Sequence, residues 1–415
     1  MSSVAAAPTT ATELPDDGEI AGAVLLPGTD LRVGWLPHAV VRWTKGRISA
    51  VVEQPGPAPA EAPLLLPGLV DLHIHWPQSH VRGQFSGALL PWLRESIWPA
   101  EAAFADAEVA RTRAAAFLRG TSRAGTCAGL AFGPPFAAAS AEFHALAWPG
   151  WLEGPALMEE NAPASLLQAT ALTLQELQRQ PGWQDRRTAI SPRFAPNLPA
   201  ASLALCGAAA QQAGLAAQSH LSENLDEVAW VSGLFPDACD YTDVYDRAGL
   251  LGPNVVMAHG IHLSDRELAR LAATGTVIAH CPTSNEALGS GRMPLERLRT
   301  AGVPWVLATD IGAGPLLSQL DTMRAFLKVH KGLANVTACE ALCRASAIPG
   351  RWLEQFDPRL AHLGTLRAGA PAHLIALPRP GGDSAEAVLR SLLEAPASAL
   401  ETLPTAVWVW GQKAF

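Results

Sequence analysis

Short apolar runs that end in polar residues recur along the middle of the chain, separated by stretches with helical periodicity. The helical pattern is clearest in residues 102–119, 199–214 and 264–274. Strands that alternate with helices favour parallel β/α units, so eight such runs over about 250 residues predict an α/β fold, a (β/α)8 barrel of the TIM type. The predicted strands span residues 69–75, 126–132, 155–158, 189–194, 216–220, 255–259, 277–280 and 305–310.

Both ends of the chain follow a different pattern, in which short alternating runs are joined by Pro/Gly turns with no helix between them. The strands predicted there span residues 23–26, 39–43, 47–52, 371–377 and 406–410, and PRPGGD at 378–383 is predicted to be a loop. We therefore predict two domains. Residues 1–66 and 367–415 together form a small β-sandwich domain from both termini, and residues 67–366 form the barrel.

Composition and charge limit the classes of partner. Of the 415 residues, 49% are hydrophobic and 16% are charged, against about 25% charged in an average soluble domain, which excludes a disordered chain. The 30 basic and 38 acidic residues leave a net charge of −8, which gives no long-range attraction to phosphate backbones or anionic lipids. We therefore predict neither a nucleic-acid partner nor a membrane partner.

The N-terminal sequence and the cysteines indicate a cytoplasmic protein. Residues 1–20 lack the basic region and the apolar run of a signal peptide. No stretch reaches the roughly 18 uninterrupted apolar residues of a membrane span. The six cysteines include no Cys-x-x-Cys pair, and we predict that they are reduced core thiols.

The most informative residues are His73 and His75, at the end of the first predicted barrel strand. Side chains two positions apart on a strand point to the same face, so both imidazoles converge at the carboxyl end of the strand, where barrel enzymes place their chemistry. A His-x-His pair alone is a weak signal. Further strand ends carry similar residues, namely His220, His259, His280 and Asp310, and this recurrence predicts a metal site.

Three imidazoles and a carboxylate suit Zn²⁺, with Fe²⁺ as an alternative, and leave a position open for water. Binuclear barrel hydrolases usually bridge two metals with a lysine or glutamate at the end of the fourth strand. That strand ends here at Arg193 and Phe194, and an arginine cannot ligate a metal. We therefore predict one metal ion per chain.

Glu223 follows the predicted ligand His220 by three residues. That spacing does not share a face on a strand, so the chain must turn after His220 to bring Glu223 over the metal. A solvated loop glutamate is the alternative. Its position beside a predicted ligand favours an acid/base role.

These motifs, taken in order along the barrel, resemble the metal-dependent deaminase branch of the amidohydrolase superfamily. His-x-His, AHCPTSN at 279–285 and ATDIGAG at 308–314 are typical of that branch. Three further segments are similar to the guanine deaminases within it: PGLVDLHIHWPQ at 67–78, Trp-Leu…Trp-Pro-x-Glu within 89–104, and SPRF at 191–194. The similarity also extends over QSHLSENLDEV, YTDVYDRAGLL and MAHG, at 218–228, 241–251 and 257–260.

The resemblance implies hydrolytic deamination of guanine to xanthine and ammonia by a homodimeric enzyme with one zinc ion per chain. His259 would hydrogen-bond the metal-bound water, and Glu223 would shuttle protons. The implied metal ligands are His73, His75, His220 and Asp310; the implied catalytic residues are Glu223, Asp310 and His259; the implied substrate-binding residues are Gln78, Trp92, Arg193 and Phe194.

Two alternatives remain open. A relative acting on another amino-substituted ring, such as 8-oxoguanine, a pterin or a triazine, would use the same single-metal chemistry. A catalytically silent scaffold would keep the barrel without the reaction. Arg193 and Gln78 favour guanine over the other rings, and the retention of every implied ligand together with Glu223 argues against a scaffold.

Overall fold

The computed structural model describes residues 17–56, 58–85 and 89–415. The strands of these residues are β1 (Gly18–Pro27), β2 (Val33–Thr44), β3 (Arg47–Glu53), β4 (Leu64–Pro67), β5 (Leu69–His75), β6 (Thr126–Gly133), β7 (Trp151–Leu157), β8 (Ala189–Pro192), β9 (Ala216–Leu221), β10 (Val255–His259), β11 (Val277–His280), β12 (Trp305–Leu307), β13 (Leu374–Leu377), β14 (Ala406–Val409) and β15 (Gln412–Lys413).

The α-helices of the same residues are α1 (Leu89–Trp92), α2 (Trp98–Ala102), α3 (Ala107–Arg123), α4 (Ala137–Leu146), α5 (Thr170–Gln178), α6 (Pro181–Gln184), α7 (Ala200–Ala213), α8 (Leu225–Leu234), α9 (Tyr241–Arg247), α10 (Asp265–Thr274), α11 (Pro282–Ala287), α12 (Leu295–Ala301), α13 (Gln319–Val329), α14 (Ala338–Arg344), α15 (Ala347–Leu353), α16 (Ala385–Leu393) and α17 (Ala397–Thr402). A π-helical turn, Leu93–Ile97, joins α1 to α2.

Strands β5 to β12 form one parallel sheet in chain order, which confirms the predicted (β/α)8 barrel. The backbone N–H of Asp310 donates to the carbonyl of His73 (3.0 Å), and the N–H of His75 donates to the carbonyl of Ile311 (2.9 Å). These two bonds close the barrel between its first and last strands. The seam therefore lies at the residues predicted to bind metal.

Six of the eight predicted barrel strands lie within two residues of the observed ones, and the other two differ for physical reasons. β7 begins at Trp151, four residues before its predicted start, because its first residues pair with β6. β12 ends at Leu307 instead of Asp310. Asp310 has a φ of 49°, a left-handed backbone conformation that a strand does not accommodate. Among the strands from the two chain ends, β1 and β2 begin five and six residues before their predicted starts, and β13 begins three residues after its predicted start.

The remaining strands form a seven-stranded sheet in the order β15-β14-β13-β4-β1-β2-β3. The central pairing joins β4 to β13, from Pro67 opposite Leu374 to Leu64 opposite Leu377, so the sheet combines both ends of the chain. The predicted β domain from both termini is confirmed, and hydrogen bonds join its strands into one sheet. The exact domain boundaries stay a prediction, and residues 1–16 lie outside the described residues.

Helices α16 and α17 lie between β13 and β14, where the sequence was expected to have no helix, and this expectation is wrong. In α16 the buried side chains follow helical spacing, and the side chain of Ser384 caps its first turn by accepting from the N–H of Ala387. The two helices pack on the barrel, where the Ser318 hydroxyl donates to the carbonyl of Leu400 (3.2 Å). Residues 385–402 therefore cover barrel helices α13 and α14, and α16 also contacts β2 of the terminal sheet.

All six cysteines are free thiols. Cys127, Cys206, Cys281 and Cys343 are buried, Cys339 is partly buried and Cys239 is exposed. Among the residues that the structure describes, no helix is both long and apolar enough to span a bilayer.

Candidate active site

Four predicted metal ligands converge at the carboxyl end of the barrel. The ligand atoms of His73, His75, His220 and Asp310 all lie within 4.8 Å of one another. The Nε2 atoms of His75 and His220 are 3.1 Å apart. Oδ1 of Asp310 is 3.3 Å from Nε2 of His73 and 3.4 Å from Nε2 of His75. Three imidazoles and one carboxylate thus point at one place.

The donor set fits a divalent metal ion. Both ring nitrogens of His73 and Nδ1 of His75 are buried and have no hydrogen-bond partner among the described residues, and unpaired buried polar atoms are costly. Burial lowers the pKa of His73, His75 and His220, so their imidazoles are neutral and carry free lone pairs. These nitrogens have the form that ligates Zn²⁺ or Fe²⁺.

Hydrogen bonds from neighbouring groups orient the ligands. Nδ1 of His220 donates to the carbonyl of Arg193 (2.6 Å), which leaves Nε2 of His220 as the unprotonated nitrogen. The Ser284 hydroxyl donates to Oδ2 of Asp310 (2.6 Å). Burial alone would raise the pKa of Asp310, but the contact with His73 and the positive charge favoured on His259 outweigh burial and hold this pKa well below its usual range.

The buried Asp71 was not predicted as a site residue, although it lies in the PGLVDLHIH motif. Its carboxylate accepts from the backbone N–H of His73 (3.1 Å) and from the N–H of Thr309 (3.2 Å). The side chain therefore links the strand of His73 to the segment that carries Asp310. Burial raises the pKa of Asp71 to about 7.

His259 lies beside the cluster, with Nε2 3.5 Å from Oε2 of Glu223 and 3.9 Å from Oδ2 of Asp310. Nδ1 of His259 is 3.0 Å from Oδ1 of Asn285, so a proton on Nδ1 is donated to this amide oxygen. Burial opposes a charge on this ring, but the carboxylates of Glu223 and Asp310 outweigh burial and raise the pKa of His259. The site therefore favours a protonated imidazole beside the cluster.

Glu223 is buried in the site and is not a solvated loop residue. The chain turns at Ser222, whose φ is 50°, and so brings Glu223 back over the end of the barrel. Oε1 of Glu223 accepts from the hydroxyl of Ser290 (2.8 Å). Burial raises the pKa of Glu223, which favours a carboxyl group that holds and releases a proton.

Three residues at this end of the barrel have a strained backbone conformation. Ser222, His259 and Asp310 have φ values of 50°, 71° and 49°, which non-glycine residues rarely adopt. Each conformation turns a polar side chain towards the cluster at the end of a strand. Such strain is typical of functional sites, where the surrounding structure maintains it.

A cleft with an empty volume of about 420 Å³ opens beside the cluster. The structure brings the four predicted substrate-binding residues, Gln78, Trp92, Arg193 and Phe194, to its wall together with His75, His220, Glu223, His259 and Asp310. The indole N–H of Trp92 donates to the carbonyl of Gln84 (2.9 Å), which fixes the indole. Trp92 lies directly before the π-helical turn, a feature that is frequent at functional sites.

Glu101, the glutamate of the Trp-Pro-x-Glu motif, was not predicted as a site residue. Glu101 is fully buried, and its carboxylate accepts from Nη1 of Arg193 (2.8 and 3.0 Å) and from Nε2 of Gln78 (2.8 Å). The Trp-Pro-x-Glu sequence was the only available signal for this residue. Ser284, Asn285 and Ser290 were also missed, and the first two lie within AHCPTSN.

His280 is not part of the cluster, although its strand-end position counted among the signals for a metal site. Its Nε2 lies 3.1 Å from Nε2 of His330, and Nδ1 of His330 accepts from Nη1 of Arg292 (3.0 Å). The imidazole ring of His280 packs against Trp305 and Phe326. His280 therefore belongs to the packing between the barrel and α13.

A second group of potential ligands consists of His259, Cys281 and Asp310. Burial raises the pKa of the Cys281 thiol well above its usual value, and Sγ of Cys281 donates to the carbonyl of Ala279 (3.4 Å). Asp310 belongs to both groups, so the two groups share one carboxylate.

Comparison with known proteins identifies relatives over most of the chain. The sequence profile described as "Amidohydrolase family" matches residues 64–403. A probable guanine deaminase of Deinococcus radiodurans is 41% identical over 265 residues, which cover 62% of this chain and 60% of that protein. The guanine deaminase of Escherichia coli is 37% identical over 274 residues, which cover 64% of this chain and 62% of that protein. The chain thus matches about three fifths of the length of these curated relatives.

Solved structures resemble the whole fold. The structure of E. coli guanine deaminase matches with a TM-score of 0.84 and 26% identity, covering 97% of this chain and 99% of that one. Guanine deaminase from C. acetobutylicum with bound guanine in the active site matches with a TM-score of 0.80 at 23% identity, covering 96% of this chain and all of the other, and this likeness concerns the fold. With the profile match over 64–403, these similarities show that the chain belongs to the amidohydrolase family.

Proposed function

We propose that this protein hydrolyses guanine to xanthine and ammonia. The observation that carries the proposal is one cleft in which the His/Asp cluster, Glu223 and the pair Arg193 and Gln78 face a common space. The cleft therefore combines a place for a metal ion, a proton carrier and groups that match a purine edge. Similarity to proteins named guanine deaminase supports the choice of substrate.

The proposed cofactor is one zinc ion per chain, held by His73, His75, His220 and Asp310, with Fe²⁺ as the alternative. When bound, the ion would supply the Lewis acidity that makes a water molecule a nucleophile near neutral pH. Arg193 supports the single-metal assignment, because its guanidinium pairs with Glu101 and is not a ligand.

The residues around the cluster would move the protons of the reaction. Asp310, held in its ionised form, takes a proton from the attacking water. Glu223, whose pKa is raised, protonates the ring nitrogen next to C2, and a carboxylate then delivers a proton to the departing amine. His259 steadies the charge that develops on the oxygen at C2.

The far side of the cleft would recognise the purine. Arg193 offers N–H donors and Gln78 offers an amide, while Phe194 and Trp92 supply apolar surface against the ring. Guanine presents O6 and N7 as two acceptors on one edge, which a guanidinium matches.

We further propose that the protein is a homodimer and that it works in the cytoplasm. The six free thiols are consistent with this compartment.

The direct test is a panel of aminated heterocycles, with ammonia release and metal content measured on the same sample. We expect guanine to be the best substrate, with one metal ion per chain. Faster ammonia release from 8-oxoguanine, a pterin or a triazine would show that this heterocycle, and not guanine, is the preferred substrate. A metal-loaded protein that releases no ammonia from any member would indicate a silent scaffold.

Replacing Glu223 with glutamine is expected to lower kcat for guanine by about 10²-fold or more, the usual contribution of general acid catalysis. Glutamine keeps the size and the hydrogen-bond reach of Glu223 but cannot protonate the ring. The measurement is steady-state kinetics, with metal content determined in parallel and expected to be unchanged. Glu286→Gln is the matched control, because Glu286 is exposed and pairs with Lys328 away from the cleft. Near-normal turnover by Glu223→Gln would show that Glu223 is no proton carrier.

A further inference from the structure

Glu101 is a fully buried carboxylate behind two residues that line the proposed guanine site, and the mechanism above does not use it. It lies on α2, directly after the π-helical turn. Its two oxygens accept hydrogen bonds from two residues of the proposed purine site and from no others among the described residues: from Nη1 of Arg193 at 2.8 and 3.0 Å, and from Nε2 of Gln78 at 2.8 Å. Removing one member of such a buried pair leaves an uncompensated charge, so the position of the Glu101 carboxylate constrains both of its partners.

An ionised carboxylate accepts hydrogen bonds and never donates them, so it determines which end of the Gln78 amide points towards it. The NH₂ group faces Glu101, and Oε1 of Gln78 is left on the other side. A Cβ atom at Gly312 would lie 2.7 Å from Cβ and 3.1 Å from Oε1 of Gln78. Because Gly312 has no side chain, it leaves room for the Gln78 amide, whose oxygen accepts no hydrogen bond from the described residues and belongs to a side chain that lines the cleft.

Glu101 acts on Arg193 in a similar way. Both contacts to the carboxylate come from Nη1, so the N–H groups on Nε and Nη2 are left without a side-chain or backbone acceptor in the described part of the chain. Arg193 is only 4% exposed and lines the cleft. The Glu101 carboxylate thus balances the buried positive charge of Arg193 and fixes one end of its guanidinium. The N–H groups on Nε and Nη2 of Arg193 remain available to a ligand.

We propose that Glu101 is a positioning residue that sets the hydrogen-bond polarity of the purine site. It holds Gln78 with its amide oxygen towards the cleft and Arg193 with its free donors towards the cleft. This inference rests on the proposed function. If it is right, the preference for a purine with a carbonyl at C6 over one without it depends on Glu101, a residue that does not itself touch the ring.

The test compares guanine with 2-aminopurine, which keeps the amine at C2 but has hydrogen in place of O6. In Glu101→Gln, the new amide can donate to Gln78 and turn its amide over, and Arg193 loses its balancing charge. We expect kcat/KM for guanine to fall by about 30-fold or more, mainly through KM, with metal content unchanged. For 2-aminopurine the fall should be about tenfold smaller, because this ring has no O6 for Arg193 to bind.

If Glu101 had a purely structural role, Glu101→Gln would lower kcat/KM for both substrates by the same factor. That result would overturn the inference. Unchanged kinetics would overturn it as well. Glu95→Gln is the matched control, because Glu95 is an exposed glutamate in the adjoining π-helical turn. This variant should keep both rates.

A second variant guards against misfolding of Glu101→Gln. The double variant Gln78→Glu/Glu101→Gln swaps the two side chains. It therefore keeps one carboxylate, one amide and the same net charge within the cluster. We expect this double variant to fold and bind metal but to lose the preference for guanine over 2-aminopurine, since the carboxylate now lies at the wrong position. A wild-type preference would show that the place of the carboxylate is unimportant.

Failure of the proposed function is recognised separately, because the wild-type protein would then release no ammonia from guanine. In that case crystal structures of wild type and Glu101→Gln decide the inference. We expect Arg193 to move and the hydrogen-bond partners of Gln78 to change. Side chains in the same places with the same partners would refute the role of Glu101.

Discussion

Replacing His73 with alanine is expected to remove tightly bound metal and the deaminase activity together. His73 is fully buried, neither ring nitrogen makes a hydrogen bond within the described chain, and Nε2 lies 3.3 Å from Oδ1 of Asp310. The alanine variant leaves three ligands, of which His220 and Asp310 come from other strands and cannot close the gap. The measurement is elemental analysis after dialysis, together with ammonia release from guanine.

The matched control for this variant is His280→Gln. His280 is also a buried histidine at a strand end, but it contacts His330 and lies outside the cluster. We expect this variant to retain one metal ion per chain. A His73→Ala protein that keeps a full equivalent of metal, or a wild-type protein with two tightly held ions, would contradict the single-metal site.

Guanine is expected to be deaminated and adenine not detectably so, a difference of roughly 10⁴-fold for a site built on hydrogen bonds to its substrate. Adenine carries an amine in place of O6, and this amine would meet the donors of Arg193 and leave a buried charge without its acceptor. Adenine also has no amine at C2, so a pose that brings C2 to the cluster offers no leaving group. Ammonia release from the two purines under identical conditions measures the ratio.

The same recognition predicts that Arg193→Ala raises KM for guanine while the metal stays in place. The change also leaves the Glu101 carboxylate buried without its cationic partner, so the loss reflects both the missing donors and the unpaired acid. Arg270→Ala serves as control, because Arg270 forms an exposed pair with Asp246. Equal ammonia release from adenine and guanine, or unchanged kinetics of Arg193→Ala, would refute the assignment of the purine site.

The ends of the barrel strands were predictable because each combines a local apolar run with a polar residue at its carboxyl end. In a closed parallel barrel all such ends meet on one face, so His73, His220 and Asp310 converge although they are distant in sequence. Periodicity alone could not show which way each side chain points. His280 satisfies the same local rule, yet its ring packs among Trp305, Phe326 and His330.

The residues that orient the site were harder to find because their partners are far away in the sequence. Glu101 contacts Arg193, 92 positions later, and Ser290 contacts Glu223, 67 positions earlier. A single buried glutamate in a helical segment carries no periodic signal of its own. Helix α16 was missed for another reason, since its apolar face is short and follows a Pro/Gly loop that resembles the turns of the terminal sheet.

The seam of the barrel has a consequence for how the protein is made. Asp71 and Thr309, whose contact ties the first strand to the last, are 238 positions apart. A ribosome releases β5 long before β12, so a growing chain holds the two histidines of β5 without their carboxylate partner. The complete set of ligands exists only after β12 has been synthesised and docked against β5. If the proposed metal site is right, a chain interrupted before Asp310 would not hold the ion in this geometry, and metal would be captured only after β12 has docked.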